Sequence, residues 1–242
     1  MNLESYLQKR QNLSNELPQY RNLCLTCRQP QFSCFCSFVQ KFDPKIKFMI
    51  LIHPIEFKRR IATGRMSHLC LQDSELIIGQ NYSENESVNQ VLKDPHNHCM
   101  ILYPGRTSTN LTSMSLAERQ ELFPKNKKLV IFVIDGTWAT AGKMVYQSKN
   151  LFLLPRFCFT PPAPSNFRVR KQPAPGCYST VEAIHHTLEL LGPSQGLDLS
   201  LKHQDRLLFV FDKMVEKQLE FIDLSRALPR STTYRRLSQR PA

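Results

Sequence analysis

Two apolar runs constrain the fold more than any other feature of this chain: IKFMILIH at 46–53 and KLVIFVID at 128–135. Each has the length of one strand, and each is apolar at successive rather than alternate positions. A strand of that kind is covered on both faces, as in a parallel sheet with helices on either side. Weaker strand signals lie in SELIIG (74–79), HCMILYPG (98–105) and LFLLP (151–155). Between and after them come helix-competent stretches: SMSLAERQELF (113–123) with Ser115 as its cap, STVEAIHHTLELLG (179–192) stopped by Gly192 and Pro193, and 199–224. The alternation predicts an α/β fold, a mainly parallel sheet with helices on both faces. Ligands in such sheets bind beyond the carboxyl ends of the strands. HPIEFKRR, YPGR and DGTW all fall at such ends.

A chain of 242 residues suits one large domain or a domain with an appendage. Thirty-two Lys and Arg against twenty Asp and Glu leave a formal charge of +12. That balance favours a polyanion such as nucleic acid, although an anionic membrane surface attracts the same charge. No apolar run approaches the roughly 18 residues of a membrane span, and the polar start MNLESYLQKRQNLSNELPQY lacks a signal-peptide core. The expectation is a cytoplasmic protein with no membrane association. It divides into an N-terminal extension at 1–42, whose first 22 residues suggest a weakly anchored helix or tail, an α/β domain at 43–225, and a basic tail at 226–242.

Four of the eight cysteines fall within the extension, as Cys24-x2-Cys27-x6-Cys34-x-Cys36. Four thiolates in so short a stretch suffice to close a tetrahedral site. In a reducing compartment metal explains this clustering better than disulfides do. Reduced thiols packed among Phe32, Phe35 and Phe38 are the plainer alternative, and an iron–sulfur cluster takes the same ligands. Zinc is preferred because a closed four-thiolate site is structural and needs no redox partner.

Basic residues gather near the strand ends. After His53 and Pro54 come Arg59, Arg60 and Arg65, which read either as a phosphate-contacting patch or as a solvated helix on which Glu56 pairs with Arg59 and Arg60. From Gly136 to Val181 there is no Asp or Glu, yet the stretch holds Arg156, Arg168, Arg170 and Lys171. Its proline-rich part, PPAPSNFRVRKQPAPG, suits backbone phosphates with a base stacked on Phe167; a rigid surface loop is the competing reading.

Two short motifs have both a local and a functional explanation. Ser179-x-x-Glu182 is a capping box, while a helix start beside Gly176 also favours a ligand carboxylate or phosphate. In DGTW, Asp135 can cap the following helix and Trp138, the only tryptophan, can be a core aromatic. Gly105, Gly136 and Gly176 nevertheless sit in three loops that would line one crevice, where glycine permits backbone contact with a ligand.

IDGTWATAGKM, STVEA, HPIE…TGR and the knuckle CxxCxxPxxxCxC together resemble the DTW-domain family, over about residues 24–185 and in the family's order. The signature residues here are Asp135, Thr137 and Trp138. The resemblance implies a tRNA-uridine aminocarboxypropyltransferase, which moves the 3-amino-3-carboxypropyl group of S-adenosylmethionine (SAM) to N3 of a uridine and releases methylthioadenosine. It also implies a SPOUT-like fold whose C-terminal segment threads a trefoil knot. The donor would then be enclosed by Leu102, Tyr103, Pro104 and Gly105, by Asp135 to Trp138 including Gly136 and Thr137, and by Gly176, Tyr178, Ser179, Thr180 and Glu182. Asp135 is expected to act as the base on N3, with its pKa raised by burial, or to orient the donor while His53 accepts the proton. The uridine is expected in a tRNA loop, since N3 is engaged in any base pair. A SPOUT-type methyltransferase and a non-enzymatic zinc-knuckle RNA-binding module are the alternative readings.

Overall fold

The computed structural model describes residues 23–124, 126–170 and 176–227. The expected helix or tail at 1–22, Lys171, and the basic tail from 228 onward lie outside the described residues.

Six strands form one sheet in the order β2-β1-β5-β3-β6-β4, and every pairing within it is parallel. They are β1 (Lys47–Ile52), β2 (Ser74–Ile78), β3 (Asn97–Leu102), β4 (Thr109–Asn110), β5 (Lys128–Asp135) and β6 (Arg156–Cys158). The two apolar runs are the neighbouring strands β1 and β5, and both are covered from either side. Phe48, Ile50, Ile131 and Val133 face one apolar layer, whereas Met49, Leu51, Val130 and Phe132 face the other. That two-sided burial is why neither run alternates.

Helices α2 (Thr63–Cys70), α7 (Thr180–Leu191) and α8 (Asp205–Ala227) cover the first face through Met66, Ile184, Leu188, Val210 and Phe211. Helices α3 (Glu86–Lys93), α5 (Trp138–Gln147) and α6 (Lys149–Phe152) cover the second through Val88, Met144, Val145 and Leu151. Two short helices complete the α-helices among the described residues, α1 (Pro54–Lys58) and α4 (Leu116–Glu121), the latter started by the expected capping box of Ser115 and Glu118. No helix among the described residues is long and apolar enough to cross a membrane.

Two expected elements differ. LFLLP is not a strand: Leu151 and Phe152 lie in α6, and β6 begins only at Arg156. The preceding Ser148 accounts for this, because its carbonyl takes the Leu151 and Phe152 amides locally at 3.0 and 2.9 Å, leaving them unavailable to a ladder. The long C-terminal helix starts at Asp205 rather than 199, since Lys202 takes a left-handed conformation (φ 52°) that ends a short 3-10 turn.

The cysteine knuckle packs on α8. Cys27 and Phe35 are buried in the first apolar layer, Phe32 meets Phe221 edge-on at 4.6 Å, and Lys217 Nζ donates to the Cys34 carbonyl at 3.1 Å.

Candidate active site and metal centre

The parallel register pairs Ile52 of β1 with Asp135 at the end of β5, and the His53 amide donates to the Asp135 carbonyl at 2.9 Å. The Asp135 side chain turns inward and is 5 % exposed. Its Oδ2 accepts from the Gly64 amide at 3.0 Å and its Oδ1 from the Thr180 hydroxyl at 2.7 Å. Thr137, not Asp135, caps α5, accepting from the Thr140 amide at 3.2 Å. The local explanation of Asp135 therefore fails. Burial raises its pKa, with the nearby Glu56 charge adding to the rise. The bonds from Thr180 and Gly64 and the charge of Arg170 act against it.

Gly64 is the glycine that sequence reasoning passed over. A Cβ built there would run into the Asp135 carboxylate. The signal lay in the TGR triplet, but nothing local connects it to a residue 71 positions away. Gly64→Ala is expected to displace the carboxylate, lowering turnover at least tenfold and stability by about 1–3 kcal/mol through overpacking, as thermal melts run beside the activity assay would report.

Asp135 lines a cavity of about 450 Å³ together with Thr63, Gly136, Trp138, Arg170, Ser179 and Thr180. A second cavity of about 170 Å³ adjoins it and shares Gly136, Trp138, Tyr178 and Thr180. Leu102, Tyr103, Pro104, Phe159 and Gly176 help form its wall. Three expected loops thus converge, and Gly176 takes the left-handed conformation (φ 84°) that the turn before α7 requires. Gly105 lines neither cavity; it closes a turn with Ser108. Trp138 is 47 % exposed, a wall of both cavities rather than a core aromatic.

Several expected roles are corrected. Glu182 is buried and lines neither of these cavities. Its carboxylate accepts from the Ser179 amide (2.8 Å) and hydroxyl (2.6 Å), the Ser165 hydroxyl (2.7 Å) and the Asn166 amide (2.7 Å). Those four donors clamp the proline-rich loop to the start of α7 and leave Glu182 no part in holding a donor. Arg65 is no phosphate ligand: it is 4 % exposed, and its guanidinium bonds the carbonyls of Cys27, Phe57 and Arg59. Phe167 is no solvent-facing platform: it is buried against Phe211 with ring centroids 5.3 Å apart and lines the larger cavity from within. Glu56 is not on a solvated helix; it is 3 % exposed and pairs with Arg59 and Arg170. His53 lines neither cavity, and its Nδ1 already accepts from the Ile55 amide at 3.2 Å.

Of the expected basic patch, Arg59, Arg60 and Arg168 are exposed. Arg156 lies over the rings of Phe152 (5.0 Å) and Tyr103 (5.9 Å), on the side of the second cavity. Arg170 belongs to the wall of the larger cavity.

The sulfurs of Cys24, Cys27, Cys34 and Cys36 lie within 4.8 Å of one another, with Cys24–Cys36 at 3.7 Å and Cys27–Cys34 at 3.6 Å. Tetrahedral ligation with bonds of about 2.3 Å requires sulfurs about 3.8 Å apart, so the cluster can hold one metal ion. It is tied to the site: Arg65 bonds the Cys27 carbonyl at 2.9 Å, and Gln29 Nε2 donates to the Arg60 carbonyl at 2.6 Å. Arg65 is the residue next to Gly64, whose amide holds Asp135.

A family model described as the DTW domain matches residues 21–219. The chain is 27 % identical over 186 residues to a tRNA-uridine aminocarboxypropyltransferase 2 of Drosophila melanogaster, covering 74 % of this chain and 70 % of that one. Relatives of the same name in Mus musculus and Macaca fascicularis are each 30 % identical, over 73 % and 69 % of this chain. The match spans only 58 % and 56 % of those two mammalian proteins. No solved structure matches the chain significantly.

Proposed function

The chain belongs to the DTW-domain family, and from that premise we propose that it transfers the 3-amino-3-carboxypropyl group of SAM to N3 of an unpaired uridine in tRNA, releasing methylthioadenosine. The observation that carries the reading is the buried carboxylate of Asp135 beside two adjoining cavities. The larger cavity is within the roughly 300–1,000 Å³ usual for a small-molecule site. The narrower one, walled by Leu102, Tyr103, Pro104 and Phe159, suits the flat adenine ring of the donor. Gly136, Trp138, Gly176, Tyr178 and Thr180 line its remaining sides. The polar one, with Thr63, Ser179 and Arg170, suits an amino-acid chain.

When bound, SAM supplies a sulfonium whose propyl methylene is open to attack. The residues decide the outcome by placement, since a reacting carbon must lie about 3–3.5 Å from its nucleophile. Asp135 takes the N3 proton; its raised pKa brings it nearer to neutrality than an ordinary carboxylate and so makes it a better base there. Thr180 and Gly64 fix the carboxylate while it does so. Trp138 presents its exposed face to the uridine ring. Zinc held by Cys24, Cys27, Cys34 and Cys36 would be structural, since four thiolates would leave no position for catalysis.

Mass spectrometry of nucleosides from tRNA incubated with protein and SAM tests the reading. Label in the carboxypropyl carbons should enter uridine; label entering from the methyl instead would make the protein a methyltransferase on the same scaffold. Arg59, Arg60 and Arg168 form the surface for tRNA phosphates. Replacing all three with alanine is expected to weaken tRNA binding and flatten its salt dependence by roughly 0.7–0.9 in log–log slope per lost contact, leaving SAM affinity unchanged. An unaltered slope in filter binding would return these side chains to plain surface.

A further inference from the structure

Arg170 is the only cationic side chain among the described residues that line the two cavities, and it lies in the polar one. Its side chain is 34 % exposed, while Arg168, two residues earlier, is open to solvent. Two Arg170 nitrogens approach the Glu56 carboxylate at 3.3 and 3.4 Å, and Arg59 reaches the same carboxylate at 3.0 Å. Asp135 and Glu56 supply two carboxylates near the cavity against Arg59 and Arg170, and of these two cations only Arg170 lines it. Arg170 also carries five N–H donors, more than Glu56 occupies.

The segment leading to Arg170 is fastened at Ser165–Phe167, and Arg170 itself is held by Glu56. Glu182 grips Ser165 and Asn166, Phe167 is buried against Phe211, and the Arg170 amide donates to the Phe167 carbonyl at 3.1 Å. The guanidinium is therefore held before any ligand arrives. Preorganisation of this kind favours a planar, two-oxygen anion that matches the guanidinium fork. The start of α7, with Ser179 and Thr180 on the same cavity, adds a field that attracts negative charge.

We infer that Arg170 recognises the carboxylate of the group to be transferred, and so selects a donor that carries one. The inference rests on the donor reading above: with the adenine in the apolar cavity, the amino-acid end falls in the polar cavity where Arg170 stands. The carboxylate is the only anionic group on that donor. An RNA phosphate, which the sequence alone suggested for Arg170, belongs instead with the outward Arg59, Arg60 and Arg168.

Isothermal titration of wild type, Arg170→Ala and Arg170→Lys with SAM, decarboxylated SAM and methylthioadenosine tests this. Wild type should bind SAM at least tenfold tighter than its decarboxylated form. Arg170→Ala should erase that preference by weakening SAM alone, by a factor of about 10–100, with methylthioadenosine unchanged and the lysine variant intermediate. Unchanged SAM affinity joined to weaker tRNA binding would make Arg170 a phosphate ligand and overturn the inference. Equal losses for all three small molecules would overturn it too, showing that Arg170 only shapes the cavity. Wild type that binds none of them removes the donor reading itself, an outcome distinct from either.

Discussion

Asp135→Asn should lower single-turnover transfer by a factor of roughly 100 or more while the protein stays folded. The amide has nearly the shape of the acid, so its oxygen can keep the Gly64 amide and its NH2 can donate to the Thr180 hydroxyl. What it cannot do is accept the N3 proton. The pH profile gives a second reading. Because burial raises the Asp135 pKa, wild-type activity should climb with pH as that carboxyl ionises, and the asparagine variant should lack this limb. Stability moves the other way. A raised carboxyl pKa stabilises the fold below the ordinary value of 3.8, and that contribution is lost as pH rises through the raised value. The melting temperature of Asp135→Asn should therefore gain on wild type across that window. A folded variant with full activity removes Asp135 from the chemistry.

Disruption of the four-cysteine cluster is the second large effect expected. Cys24→Ser or Cys36→Ser should release one metal ion per chain and destabilise the protein, because metal-binding energy in such a cluster is folding energy. A loss of about 3–5 kcal/mol would lower the melting temperature by roughly 10 °C in a chain of this size. The damage should extend beyond the knuckle. Cys27 and Phe35 belong to the layer under α8, and the Cys27 carbonyl is one of three that hold the buried Arg65 guanidinium. Arg65 adjoins Gly64, so activity should fall on chelation even below the melting transition. Elemental analysis of protein purified without chelator decides the premise: no stoichiometric metal, no metal centre.

Local pattern determined a good part of this molecule. The unbroken apolar runs of β1 and β5 specify strands covered on both faces, and the structure covers them so. The capping boxes at Ser115–Glu118 and Ser179–Glu182 form as spaced, and the four cysteines converge as their spacing requires. Each of these depends on neighbours a few residues apart, which is the range over which sequence periodicity carries information. Asp135 could be placed at a strand end on the same grounds, but its role could not be separated from capping until Thr137 was seen to cap instead.

The rest was decided by contacts that no local pattern encodes. Gly64 reaches Asp135 across 71 residues, Arg170 reaches Glu56 across 114, and Arg65 reaches Cys27 across 38. A run of arginines such as 59, 60 and 65 looks uniform in sequence, yet packing turns two outward and buries the third among backbone carbonyls. Glu182 likewise keeps its capping partner and gains Ser165 and Asn166 only because the proline-rich loop folds back onto α7. Whether a charged side chain faces solvent, a ligand or another charge depends on which distant segment desolvates it, and parallel-sheet topology makes that choice.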